Sequence, residues 1–171
     1  MPSKIRLGFV GANVSSHWAS QSHFPALLAS PDVELTAVCT TRPERAEEAR
    51  KAFGAELAFH DLKEMVACPD IDAVAVVVRV PLHYEPTRAA IEAGKHVYTE
   101  WPLGRTTAEA EELAALAKAK GVQTVVGLQS LFWTALPRDT APGTHLPIAL
   151  LTCANAVFWL MVIRSMTRSG S

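Results

Sequence analysis

Short apolar runs and amphipathic stretches alternate along residues 4–129, and a turn former or a cap marks most boundaries. Residues 5–10 read as a buried strand closed by Gly11. A helix is predicted over about 16–29, with Pro25 kinking or restarting it. Residues 33–39 form a second strand. Pro43 opens the next helix and Gly54 closes it, the usual placement of proline at a helix start and glycine after its end. A minor strand at 57–59 precedes a short helix whose start carries the Asp61/Glu64 capping-box spacing. Residues 73–78 are continuously apolar, as a parallel strand covered on both faces must be. A helix over 85–93 ends at Gly94, and a strand follows at 96–99. Thr106 and Glu109 repeat the capping-box spacing. The helix behind them carries Glu109, Glu111 and Glu112 early and Lys118 and Lys120 late, which suits the helix dipole. Gly121 stops it, and residues 123–128 are the last strand.

Strands and helices alternating at this length specify an α/β fold with a doubly wound parallel sheet. The chain of 171 residues is 49% hydrophobic and 19% charged, enough for a real core. Its formal net charge of -1 supplies no bulk attraction to nucleic acid, so no direct nucleic-acid partner is expected. Cys39, Cys68 and Cys153 have neither metal-ligand spacing nor an even count, and read as reduced thiols of a cytoplasmic protein. His17, His23 and His60 share no ligand spacing, so no metal site is expected. His96 reads as a core residue and Trp18 as packing on the first helix. Met1–Lys4 lead straight into the first strand without a secretory signal pattern, and no internal repeat is visible.

Open α/β sheets bind ligands outside the carboxyl ends of their strands. The first such end is Gly11-Ala12-Asn13-Val14-Ser15-Ser16, where a dinucleotide fingerprint would read GxGxxG. Gly11 is present for the tight turn. Asn13 is the non-glycine type that best tolerates left-handed backbone, and Ser16 is small enough for close helix packing. A plain strand-to-helix turn is the competing reading. The second end, Thr40-Thr41-Arg42, lacks the carboxylate that usually binds the ribose of NAD. Hydroxyls and a guanidinium suit a 2′-phosphate instead, which favours NADP; the competing reading is a solvated arginine before Pro43. His83 either faces the cleft or caps a helix start.

The third and fourth strand ends carry motifs that fold physics does not dictate. The stretch Asp70-Ile71-Asp72-Ala73-Val74, then His83-x-Glu85, Glu92-Ala93-Gly94-Lys95-His96-Val97, Glu100-x-Pro102-Leu103 and Val126-Gly127-Leu128-Gln129 resembles the glucose-fructose oxidoreductase / inositol dehydrogenase (Gfo/Idh/MocA) family in order and spacing. The resemblance implies a two-domain NAD(P)-dependent oxidoreductase. Its first domain is a Rossmann domain that holds the cofactor, and its second holds a small sugar-like substrate and mediates oligomers. It also implies hydride transfer on CH–OH groups. The family often reads Glu-Lys-Pro where this chain reads Glu100-Trp101-Pro102. Trp101 therefore replaces the family lysine, and no catalytic residue is assigned. Asn13, residues 21–25, His83-Tyr84-Glu85 and Glu100-Trp101 are similar to a branch of galactose-pathway transcriptional repressors that keep the fold and bind dinucleotide without catalysis. The resemblance places cofactor contacts at Gly11, Asn13, Val14, Thr41, Arg42, Arg79, His83, Glu100 and Trp101.

The pattern breaks after Gln129. Residues 130–171 carry charge only at Arg138, Asp139, Arg164 and Arg168, and 146–163 is an uncharged apolar run. The expectation is a dinucleotide-binding domain over 1–129, the family's second domain absent, and an atypical tail over 130–171 that arises from truncation or a shifted reading frame. A membrane anchor is the rival for that tail, held less favoured because the run is short for a bilayer. Two functional classes follow: a catalytically impaired oxidoreductase domain, or a dinucleotide-dependent regulator.

Overall fold

A computed structural model describes residues 4–15 and 19–127. The expectations for Ser16, His17, Trp18, Leu128, Gln129 and the apolar tail with Cys153 lie outside the described residues.

Six strands form one all-parallel sheet in the order β3-β2-β1-β4-β5-β6. They are β1 (Ile5–Val10), β2 (Val33–Cys39), β3 (Leu57–Phe59), β4 (Ala73–Val76), β5 (His96–Glu100) and β6 (Thr124–Gly127). The chain winds outward from β1 in one direction, then returns to the other side of β1 with β4. The carboxyl ends of β1 and β4 therefore flank the switch point where such sheets open a crevice. Helices α1 (Phe24–Ala29), α2 (Pro43–Phe53), α3 (Leu62–Ala67), α4 (Tyr84–Glu92) and α5 (Thr107–Lys120) connect the strands.

Strand alternation divides the core. Leu7 and Phe9 of β1 join Phe24, Leu27, Phe53 and Tyr98 on one face. Phe24 stacks on Phe53 at 3.5 Å and lies 4.5 Å from Phe9. Val10, Met65, Ile71, Val74, Ile91 and Leu113 fill the other face. Burial at this density supplies the main driving force for the fold.

Several boundaries move for physical reasons. The helix predicted from about 16 begins, in the described part, as a π-helical turn at Ala19–His23, and α1 restarts at Phe24 with Pro25 in its first turn. Strand β4 ends at Val76 rather than 78, because its partner strand ends at Val10, opposite Val76. Asp61 caps α3 by accepting from the Lys63 N–H at 2.7 Å, the second helical residue, in place of the reciprocal box. Thr106 accepts from the Glu109 N–H, but the Glu109 carboxylate reaches one residue further back, to the Arg105 N–H at 2.7 Å and to its guanidinium. His96 is half-buried at the start of β5. Its Nδ1 accepts from the Gln123 N–H at 3.0 Å, and burial pushes its pKa down from the usual histidine range.

Candidate functional site

A groove crosses the carboxyl ends of the strands. It consists of two adjoining cavities, each about 410 Å3, which share Gly11, Asn13, Val78 and Leu82. One cavity lies toward β2 and β3, the other toward β5.

Gly11 sits at the junction. Its φ is +92°, and a Cβ there would overlap the Val77 carbonyl oxygen. Only glycine lets the loop after β1 pass this close to the end of β4. The Gly11 N–H donates to the Cys39 carbonyl at 3.0 Å, which ties the loop to β2. Asn13 corrects an expectation: among the described residues no non-glycine residue has a positive φ, so Asn13 is not left-handed. It acts through its side chain, accepting from the Ser15 N–H at 3.1 Å and the Ser15 hydroxyl at 2.8 Å. This Asx turn shapes the loop that a second fingerprint glycine would otherwise shape. Val14 lines the same wall.

At the β2 end, Thr40 and Thr41 face the cavity, and the Thr40 hydroxyl donates to the Arg42 carbonyl at 3.0 Å. The Arg42 side chain is exposed and lies outside the lining of both cavities. Arg45, in the first turn of α2, lines this wall with Glu48 and His60. Sequence reasoning missed Arg45. The available signal was its place in the first turn of the helix that directly follows the β2 strand end. Cys39 forms part of the floor as a free thiol, and burial pushes its pKa up to about 11. It stays protonated at neutral pH and is a poor nucleophile.

At the β5 end, Arg79 and Glu100 line the second cavity together. His83 neither faces the groove nor caps α4 through its side chain. The ring is buried, with Nδ1 2.7 Å from the Pro102 carbonyl and Nε2 2.8 Å from the Val78 carbonyl. It ties the loop after β4 to the loop after β5, which makes it scaffold rather than a cofactor contact. Trp101 is 64% exposed and lines neither cavity. Among the described residues no three His, Cys, Asp or Glu side chains converge as a metal site, and no helix is long and apolar enough to cross a membrane.

The groove fits a dinucleotide on its own geometry. A close backbone approach lies at the switch point, room for one nucleotide lies on each side, and an arginine beside hydroxyls stands at the outer wall.

Comparison with known proteins agrees. Residues 5–128 match the GFO_IDH_MocA family, described as an oxidoreductase family with an NAD-binding Rossmann fold. This chain belongs to that family. It is 42% identical over 134 residues to a dehydrogenase, aclE, of Aspergillus oryzae, covering 75% of this chain and 37% of that protein. It is 31% identical over 134 residues to the galactose/lactose metabolism regulatory protein GAL80 of Saccharomyces cerevisiae, covering 73% and 31%. The NADP(+) scyllo-inositol 2-dehydrogenase IolU of Bacillus subtilis is 34% identical over 142 residues, covering 83% and 41%. Among solved structures, a 3-ketoreductase from Actinomadura kijaniata in complex with NADP superposes with a TM-score of 0.70 at 33% identity, covering 75% of this chain and 40% of that one. The chain thus spans about two fifths or less of the length of these relatives.

Proposed function

We propose that this chain is the cofactor-binding half of an oxidoreductase of the family, that it prefers NADP(H) to NAD(H), and that as it stands it is catalytically impaired. The observation that carries the reading is the β2 wall of the groove, where Thr40, Thr41 and Arg45 stand and the strand end itself, Thr40-Thr41-Arg42, carries no carboxylate. A guanidinium with neighbouring hydroxyls suits a 2′-phosphate, and the segment directly after β2 offers the NAD ribose hydroxyl acceptors but no carboxylate. The NADP named with the similar reductase and inositol dehydrogenase supports the preference. The inositol of that dehydrogenase supports a small sugar-like substrate for the complete enzyme. Free thiols at Cys39 and Cys68 suit work in the cytoplasm.

Impairment rests on Trp101. The family lysine can carry a proton to or from a reacting oxygen, whereas an indole offers one neutral N–H and no titratable group. The exposed indole also favours a second reading, a dinucleotide-dependent regulator that presents Trp101 to a partner; the similarity to GAL80 supports it. Calorimetric titration with NADPH and NADH tests the cofactor reading. Tighter NADPH is expected, and equal or tighter NADH would overturn the preference. A screen of polyols and sugars with NAD and NADP, read at the nicotinamide absorbance, tests impairment. Saturable turnover by the purified chain would sink it and the regulator reading together.

A further inference from the structure

Beneath the wall that Glu100 contributes to the groove lies a fully buried histidine. His23 is 0% exposed, packed edge-on against Phe9 at 6.1 Å and Tyr98 at 5.9 Å between ring centroids. Its Nε2 lies 2.7 Å from Glu100 Oε1. An ionised carboxylate only accepts, so Nε2 donates. Two features set this pair apart from ordinary core packing. A polar ring among Phe9, Phe24 and Tyr98 costs desolvation that an apolar residue at position 23 would avoid. His23 also closes the π-helical turn at Ala19–His23, a rare geometry that accompanies functional sites and re-registers the side chains ahead of α1. Glu100 ends β5, its side chain is 16% exposed, and it shares its cavity with Asn13 and Arg79.

We propose that His23 is a positioning residue. It fixes the Glu100 carboxylate at the cavity wall so that Glu100 accepts hydrogen bonds from the hydroxyls or the carboxamide of the nicotinamide-ribose half of the cofactor. The inference rests on the dinucleotide reading above. A free glutamate samples many rotamers, and binding must then order it; a buried donor at fixed distance removes that cost in advance. His23 lines neither cavity, so any effect on the cofactor is indirect, with Glu100 as the contact that reaches the cavity.

The test uses the full chain and two ligands, NADPH and adenosine 2′,5′-bisphosphate, which lacks the nicotinamide half. His23→Leu removes the donor and keeps an apolar filling. NADPH binding is expected to weaken about tenfold, the usual size for a lost bond to a charged group, with the bisphosphate within about twofold of wild type. His23→Gln, which keeps an N–H donor, is expected to recover most of the NADPH affinity. Where His23→Leu fails to fold, His23→Asn, whose shorter side chain cannot reach Glu100, takes its place and is expected to give the same selective loss that His23→Gln largely avoids. Equal weakening of both ligands, or an NADPH affinity unchanged in the folded His23→Leu or His23→Asn chain, overturns the positioning role. A wild-type chain that binds neither ligand overturns the dinucleotide reading itself, and this inference with it.

Discussion

At the amino ends of the strands, Arg6 of β1 reaches across to the segment before β4. Its guanidinium meets Asp72 at 2.8 Å and Asp70 at 3.0 Å, and its backbone N–H donates to Asp72 at 2.9 Å. Lys95 closes the same end, donating to the carbonyls of Cys68 at 2.9 Å and Ile71 at 2.7 Å. At the carboxyl ends the chemistry is left open. Among the described residues Arg42, Arg45 and Arg79 form no ion pair, hydroxyls and an Asx loop face a groove, and Trp101 stands in solvent. One end spends its charges on holding neighbouring segments together; at the other, among the described residues, Arg42, Arg45 and Arg79 form no ion pair, and Arg45 and Arg79 line the groove. Polar groups that stability does not use are the ones available to function.

The sharpest way to break this comparison is at the junction of the groove. Gly11→Ala combines an unfavourable φ with overlap on a backbone carbonyl that cannot move without shifting β4. A destabilisation on the order of 3 kcal/mol is expected, read as a lower denaturant midpoint. A cost under about 1 kcal/mol would mean that the loop relaxes freely and the close approach is unimportant. Gly127→Ala tests the same idea at β6, where a Cβ would overlap the Tyr98 hydroxyl. About 2 kcal/mol of overpacking is expected, and Tyr98→Phe in the same chain should return at least half of it.

Next in size is the division of labour between two arginines. Arg45→Ala is expected to weaken NADPH by about 1.5–2 kcal/mol and leave NADH nearly unchanged, because its loss matters only to the 2′-phosphate. Arg42→Ala should cost less than about 0.5 kcal/mol, as an exposed side chain outside the groove. The reverse ranking, measured by titration calorimetry, would return the assignment to Arg42.

These particulars show how far the sequence could be read. Periodicity, caps and glycine stops placed the six strands and the five α-helices to within a few residues, but not the π-helical turn at Ala19–His23 or the 3-10 turn at Val80–Leu82. The strand ends located the groove, because sheet order alone determines where a doubly wound fold opens. What periodicity could not supply was side-chain direction at those ends. Arg42 is nearer to β2 in sequence, yet Arg45 is the one turned into the cavity by the first turn of α2. Asn13 works through its amide rather than its backbone. The motifs that carried the family resemblance proved to be of two kinds. Asp70, Asp72 and Lys95 hold the amino ends together, and His83 holds two loops, so part of the motif set is scaffold. Glu100 belongs to the groove. The His23–Glu100 contact joins residues 77 positions apart and left no local trace.

A smaller effect sharpens the stitched end. Hydrogen bonds from Arg6 hold the Asp72 carboxyl below its ordinary value of 3.8. The folded state therefore binds a proton less readily than the unfolded chain, so the stabilisation is present above the unfolded pKa and is lost as pH falls through the folded one. Asp72→Asn should cost about 1 kcal/mol near neutral pH, a modest figure because both side chains are more than a third exposed. The gap between wild type and variant should close as the pH is lowered below the ordinary aspartate range. A gap that persists in acid would show that packing, not charge, carries the contact.

The smallest expected change in stability is at Trp101, and it separates the two ends most cleanly. Large aromatic residues usually rank among the costliest to remove, because they bury extensive apolar area. Trp101 is 64% exposed and lines neither cavity, so most of that area is already in water. Trp101→Ala and Trp101→Lys are therefore both expected to shift the unfolding free energy by less than about 0.5 kcal/mol. They differ in chemistry, since only the lysine restores the charge that the family carries at this position. Unfolding midpoints of the two variants, measured beside wild type, decide the point. If both hold their midpoints, the indole is retained at the open end for a reason other than folding, as a residue kept for a ligand or partner should be. A loss above about 1 kcal/mol would place Trp101 with Arg6 and Lys95 as part of the frame, and would remove the observation on which the regulator reading leans.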